Sequence, residues 1–380
     1  MNREMLTHLM TLGRKALIVD DTLIVKDREA PDPGVAFGAV PSPRDDRDFL
    51  YRCIKPSLGV LPARFILPEW PVNDQGKLGT CVGQAASAGE EYDEAMERKK
   101  AVGSLKVSPE YIYAECKQID GIPDKPGTYG RTAMKVLVDR GAVLTSEFPP
   151  LTRDTNVSAP SSTVRAKAKK FQNTAYAAVE SIEEIKHAIM TEGPVLGCFI
   201  WVENMMYPED GFINMPRGYM MGGHAVAITG WDDNLTYQFD CAEWNGQRTF
   251  KGWFRVRNSW GSGWGDNGYC WIPYQLFYSK IDGQIPYMTE GWSAVDKIDE
   301  GVKPTPEPMP EPDMKGVKHY FDVAPTIIAG RTMVEMRGLA ELLGAVLGWD
   351  NQQKIATLEW PGRKVYLKVG SKEYTEELRG

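Results

Sequence analysis

Apolar and polar residues alternate in two different rhythms along this chain, and each predicts its own kind of element. Cys81–Lys100 reads as a helix rich in Ala, Gly and Glu, where small residues allow close packing. Ser108-Pro-Glu-Tyr111 opens a second helix, with Ser108 as N-cap and Pro109 at the first helical position. Thr132–Arg140 predicts a third, stopped by Gly141. Ser181-Ile-Glu-Glu184 is a capping box that starts a fourth, which Gly193-Pro194 ends. From there the pattern turns to strands: Pro194–Val202, His224–Trp231, Tyr237–Glu243, Thr249–Asn258 and Gly268–Pro273. Asn245-Gly246 predicts a tight hairpin. Helices first and strands later point to an α+β domain in two halves, not a repeating βαβ fold.

The flanks read differently. Residues 1–60 are mixed: Thr22–Lys26 could form a short strand, while Glu29–Asp46 is rich in Pro, Gly and charge and reads as loop. The large domain is expected over 61–295. Proline at nearly every second position in Lys303–Asp313 predicts a semi-rigid linker over 296–315, and 316–380 form a small second module.

Composition narrows the class. Hydrophobic residues make up 42% and charged residues 25%, which suits packed cores. The net charge of −7 and the lack of a basic run longer than Arg98-Lys99-Lys100 argue against a nucleic-acid partner. No stretch approaches the apolar length of a membrane span, and the first 20 residues do not read as a secretory signal. The expectation is a cytoplasmic protein, or one released by a route such as phage lysis. The six cysteines are scattered with no CxxC pair, so no metal or cofactor is expected. Cys198 and Cys270 lie in strand-like apolar runs and read as buried thiols.

Cys81 is different. It follows the turn-like Gln75-Gly-Lys-Leu-Gly-Thr80 and opens a helix, whose positive end would favour thiolate. The glycines would let the Gln75 amide curl back towards the thiol and, with the Cys81 N–H, form an oxyanion hole. Of four histidines, His187 sits among Glu183, Glu184 and Lys186 and reads as a solvated surface residue. His224, after Gly222-Gly223 at the start of a strand, reads equally well as base or as structural histidine. The run Val256-Arg-Asn258-Ser-Trp260-Gly-Ser-Gly-Trp264 decides for the base: Asn258 could accept the imidazole N–H, with Trp260 and Trp264 shielding that bond.

These residues resemble the papain and cathepsin peptidases. Gln75-Gly-Lys-Leu-Gly-Thr-Cys81 is similar to the family's Gln-Gly-x-Cys-Gly-Ser-Cys motif, Gly223-His224-Ala-Val to its histidine motif, and Asn258-Ser-Trp260-Gly with Trp264-Gly-x-x-Gly-Tyr269 to its asparagine motif. Leu105-Lys-Val-Ser-Pro-Glu-Tyr111 looks like its Leu-Ser-Pro-Glu helix start. The resemblance implies a papain-like fold: a helical half, a β-barrel-like half and a cleft between them. It implies a substrate-pairing strand at Gly127-Thr128-Tyr129, a second subsite near Tyr129, Ala133 and Gly222, and a further substrate-binding position at Gly223. Leu78 replaces a family cysteine and removes its disulfide; Val82 should alter the cleft wall, and Thr128 should narrow the cleft. The family's propeptides run backwards through the cleft, so residues 1–60 could cover it until cut near Ser57–Ala63. A structural extension on the domain's back is the equal alternative. Residues 324–350 resemble the small domain named after the copper amine oxidase N-terminus, with a surface ligand such as cell wall as its expected partner; one histidine and no cysteine offer copper nothing.

The expected activity is that of a bacterial- or phage-type cysteine endopeptidase acting on peptides or proteins through a thioester. The alternatives are a peptidoglycan cross-bridge peptidase or amidase, and an inactive binding scaffold.

Overall fold

The computed structural model describes residues 3–30, 32–45, 48–54, 60–241 and 246–295, and beyond them five strands between 317 and 378. The chain divides into two units, Met1–Ile298 and Asp299–Gly380.

Helices of the first unit are α1 (Arg3–Leu12), α2 (Tyr51–Ile54), α3 (Cys81–Glu97), α4 (Pro109–Lys117), α5 (Gly130–Asp139), α6 (Ser162–Ala168), α7 (Ile182–Thr191) and α8 (Gln275–Tyr278). Its strands begin with β1 (Ala16–Val19), β2 (Thr22–Val25), β3 (Ala39–Val40), β4 (Arg64–Ile66), β5 (Thr128–Tyr129) and β6 (Ala175–Ala178). They continue with β7 (Val195–Val202), β8 (Gly218–Cys241), β9 (Gly246–Arg257), β10 (Tyr269–Pro273), β11 (Lys280–Ile281), β12 (Ile285–Pro286) and β13 (Met288–Val295).

The predicted caps form. Ser108 accepts the Tyr111 N–H at 3.1 Å, and Ser181 accepts that of Glu184 at 3.1 Å. The Glu184 carboxylate reaches back to the Glu180 N–H at 2.7 Å, so that box closes one residue early. Helix α3 ends before the predicted Lys100, with Lys99 at positive φ.

The sheet runs β10-β9-β8-β7-β13-β6, and β8 also pairs with β4 and β1. Two predicted strands, His224–Trp231 and Tyr237–Glu243, are one long strand, because β9 follows β8 through two register shifts. His224 therefore lies inside a strand rather than at its start. Every residue of β7 is buried. Trp201, Trp231, Trp253, Phe199 and Phe254 fill the core of this half.

The N-terminal stretch enters the same core. Leu6, Leu9, Ala16 and Ile18 are buried with the β7–β9 residues, and β1 pairs with β8. Leu6, Leu9 and Ile18 each contribute roughly 1.5–3 kcal/mol. His187 corrects an expectation: it is 8% exposed, not solvated, and its Nδ1 lies 2.9 Å from the hydroxyl of buried Tyr51. Residue Tyr51 belongs to α2, far upstream, which the polar neighbours of His187 could not announce.

The second unit is an antiparallel sheet in the order β14-β18-β17-β16-β15, formed by Val317–Tyr320, Glu373–Leu378, Arg363–Lys368, Ile355–Trp360 and Val346–Asp350. The linker and Asn245 of the hairpin turn lie outside the described residues. No described helix is long and apolar enough to cross a membrane.

Candidate active site

The structure gathers the predicted residues at the seam between α3 and the sheet. Cys81 is the first residue of α3 and fully buried, with backbone hydrogen bonds from Ala225 and Gly38 at its sulfur. Ala225 follows His224, whose Nε2 lies 2.7 Å from Asn258 Oδ1. The Ser259 N–H also donates to that oxygen at 2.8 Å, which fixes the amide's orientation. Nε2 therefore carries the proton. The buried Nδ1 has no partner among the described residues and keeps its lone pair.

Trp260 stacks on His224 at 4.5 Å, and Trp264 meets Trp260 edge-on at 5.2 Å. Sequence reasoning missed Trp201, whose ring stands edge-on to His224 at 5.0 Å. Its position at the end of the all-apolar run Val195–Val202 was the available signal.

Gln75 is held from both sides. Its N–H donates to the Ser259 carbonyl at 2.9 Å, and its Oε1 accepts from the Ser259 hydroxyl at 2.6 Å. Its Nε2 donates to Leu78 O at 2.9 Å and to Ala36 O at 3.1 Å.

Ala36 belongs to a strap, residues 36–42, that lies over the site. Phe37 meets His224 edge-on at 5.8 Å and Trp260 at 5.9 Å. The Thr128 N–H donates to Gly38 O at 2.9 Å, and β3 pairs with β5 in parallel. A Cβ on Gly38 would run into the Gly79 carbonyl, so only glycine passes there. A Cβ on Gly223 would come within 2.0 Å of the Ala39 carbonyl, and one on Gly222 within 2.7 Å of the Phe37 side chain. Ala133 shares a buried cluster with Ala39, and Tyr129 pairs with Val40. Beyond β3, Asp48 takes an ion pair from Arg131 at 2.9 Å.

One expectation about the cleft fails. Thr128 does not narrow it: its side chain is fully buried and donates to Asp120 Oδ2 at 3.0 Å. Val82 is fully buried in the same cluster as Cys81 and the strap residue Ala39. The Asp120 carboxylate pairs with Lys117 at 2.9 Å, and that ammonium donates to the carbonyls of Ile122, Lys125 and Gly127. This buried cation braces the loop that presents β5.

Burial dominates the electrostatics. It pushes the Cys81 thiol up to about 11, against weaker backbone hydrogen bonds. It pulls His224 down to about 4, against the opposing bond to Asn258. Under the strap, burial favours the neutral thiol and the neutral imidazole. No group of His, Cys, Asp and Glu suited to a metal occurs among the described residues.

Residues 68–287 match the model of the papain family of cysteine proteases, and residues 313–377 that of the copper amine oxidase N-terminal domain. A peptidase C1-like protein of Acanthamoeba polyphaga mimivirus is 27% identical, covering 63% of this chain and 81% of its own. Cathepsin B-like CP3 of Giardia intestinalis is also 27% identical, over 71% of this chain and 82% of its own. Among solved structures, the cysteine protease xylellain of Xylella fastidiosa superposes with a TM-score of 0.54 at 25% identity, covering 70% of this chain and 98% of its own. Its relatives thus span a virus, a eukaryote and a bacterium, and the chain itself belongs to the papain family of cysteine proteases.

Proposed function

We propose that this cysteine peptidase uses Cys81 as nucleophile, His224 as general base and acid, and Asn258 as the residue that orients the imidazole, and that the strap keeps it latent. The observation that carries this reading is the strap itself. A peptide already lies across the site, with one carbonyl on the Gln75 amide and one amide at the thiol. The Ala36 carbonyl stands in for that of a substrate.

With the strap displaced, water reaches the pair and the burial that holds both groups neutral is relieved. The thiol proton passes to His224 Nδ1, and the sulfur attacks the substrate carbonyl carbon. The oxyanion forms against Gln75 Nε2 and the Cys81 N–H. The imidazolium then protonates the leaving amine, the C–N bond breaks and a thioester remains. Nδ1 next deprotonates a water, which attacks the thioester and releases the acid and the thiol. The neutral Asn258 leaves the thiolate as the imidazolium's charge partner.

A peptide running opposite to the strap would pair antiparallel with β5, which shifts its bonds relative to Cys81. On this reading the strap's reversed direction keeps its own bonds out of register for cleavage. The second unit is read as a surface-binding module, and co-sedimentation of the full chain with isolated cell walls tests that part. For the catalytic part, Cys81→Ala should abolish peptide hydrolysis with an unchanged melting temperature; a hydrolytically active Cys81→Ala protein ends the proposal.

A further inference from the structure

One carboxylate reaches the cleft wall beside the thiol and takes no part in the steps above. Asp154 Oδ2 accepts the Gly79 N–H at 2.7 Å, two residues before Cys81. A Cβ on Gly79 would lie 3.1 Å from that oxygen, 3.1 Å from the Phe37 carbonyl and 3.2 Å from the Gly127 amide. The carboxylate, the strap and the substrate-pairing wall therefore converge at one point. The loop is pinned there, because the Tyr113 hydroxyl donates to Asp154 O at 2.7 Å and accepts from Gly127 N at 2.9 Å.

The strap does not satisfy this spot. It brings a second acceptor, the Phe37 carbonyl, and at Gly38 it has no side chain to offer. The half-buried Asp154 takes no ion pair among the described residues, and its Oδ1 takes no hydrogen bond there. Lys77 and Arg153, the nearest cations in sequence, are exposed. A fixed carboxylate facing a place built for a peptide is complementary to a donor-bearing cation.

We infer that Asp154 is a specificity-determining residue, accepting an arginine or lysine side chain from the substrate residue that takes Gly38's place against the thiol. This residue lies on the acyl side of the scissile bond. The inference rests on the reading of Cys81 as nucleophile. The pairing is partly hydrated, so its expected selectivity is about five- to ten-fold.

The test uses the full chain carrying Gly38→Val, which displaces the strap. Peptides differing only in Arg, Gln or Glu at that position are compared by kcat/KM. Matching peptidyl chloromethyl ketones are compared by their rate of alkylating Cys81. The expected order is Arg above Gln above Glu. Asp154→Asn, which can still accept the Gly79 N–H, should bring Arg and Gln within two-fold at an unchanged melting temperature. Asp154→Glu should restore the preference. An Arg preference that survives in Asp154→Asn, or equal Arg and Gln rates with Asp154 present, overturns the inference and leaves Asp154 as a loop tie. Arg-selective alkylation without hydrolysis of any peptide supports Asp154 and contradicts the peptidase reading instead.

Discussion

Residues 3–25 and residues 36–42 both precede the papain-like core, but different forces hold them to it. The first stretch buries Leu6, Leu9, Ala16 and Ile18 among the sheet's side chains and adds β1 to the edge of β8. Asp21 and Leu23 also tie it to Tyr287 and Asp282. The second stretch lies across the site through backbone groups at Gln75, Thr128 and the Cys81 sulfur, with Phe37 against the His224 and Trp260 rings and Ala39 as its buried apolar side chain. A backbone hydrogen bond contributes about 1 kcal/mol net, whereas a buried leucine contributes roughly twice that or more. Apolar burial makes the first stretch part of the fold; on the proposed reading the second, with fewer buried side chains, is the displaceable one, and cleft cover and structural extension would fall to different parts of the same 60 residues.

The largest expected effect breaks the first attachment. Leu9 is fully buried, and Leu9→Ala should lower unfolding free energy by about 2–5 kcal/mol in denaturant titration. A loss below 1 kcal/mol would place α1 with the displaceable strap.

Next comes the strap alone. Gly38→Val forces a side chain against the Gly79 carbonyl. Overpacking of about 1–3 kcal/mol should raise the thiol-labelling rate of Cys81 roughly ten- to hundred-fold, with little change in melting temperature. A melting temperature that falls as far as in Leu9→Ala would erase the distinction.

Acid should act in the same direction more gently. His224 is held near 4 under cover, against 6.5 in water. A depressed histidine binds fewer protons when covered than when hydrated. The covered state therefore loses stability as pH falls from about 6.5 towards 4 and keeps it above that window up to the alkaline range where an uncovered Cys81 thiol ionises. Hydrogen exchange at residues 36–42 should accelerate across that range, and His224→Gln should remove the pH dependence.

The smallest effect concerns the link between strap and domain. Tyr51→Phe removes the hydroxyl that meets His187, and should cost about 1 kcal/mol with slight acceleration of labelling.

Much of the site was legible because its chemistry is local. Cys81 at a helix start, the Ser108 cap and the Asn258-Ser-Trp260 run each carry their signal within a few residues. His224 and Asn258 needed only two adjacent strands to meet. The unread parts depend on pairing across long stretches of chain. Ala36-Phe-Gly-Ala-Val40 has no periodicity, and its role appears only against Thr128 and Gly79. Tyr51 finds His187, and Asp154 finds Gly79, across loops that sequence patterns do not cross. Thr128 was misjudged because its buried partner, Asp120, gave no sign of drawing the side chain inward.

The central claim is that Cys81 is the nucleophile and that the strap covers it. Intact-mass spectrometry of the full chain after reaction with a peptidyl epoxide tests both halves at once. The account predicts a single adduct at Cys81, formed slowly in the native chain, at least ten-fold faster in Gly38→Val, and absent when Cys81→Ala is added. Equal rates with and without Gly38→Val, or an adduct that persists in the Cys81→Ala background, would contradict it.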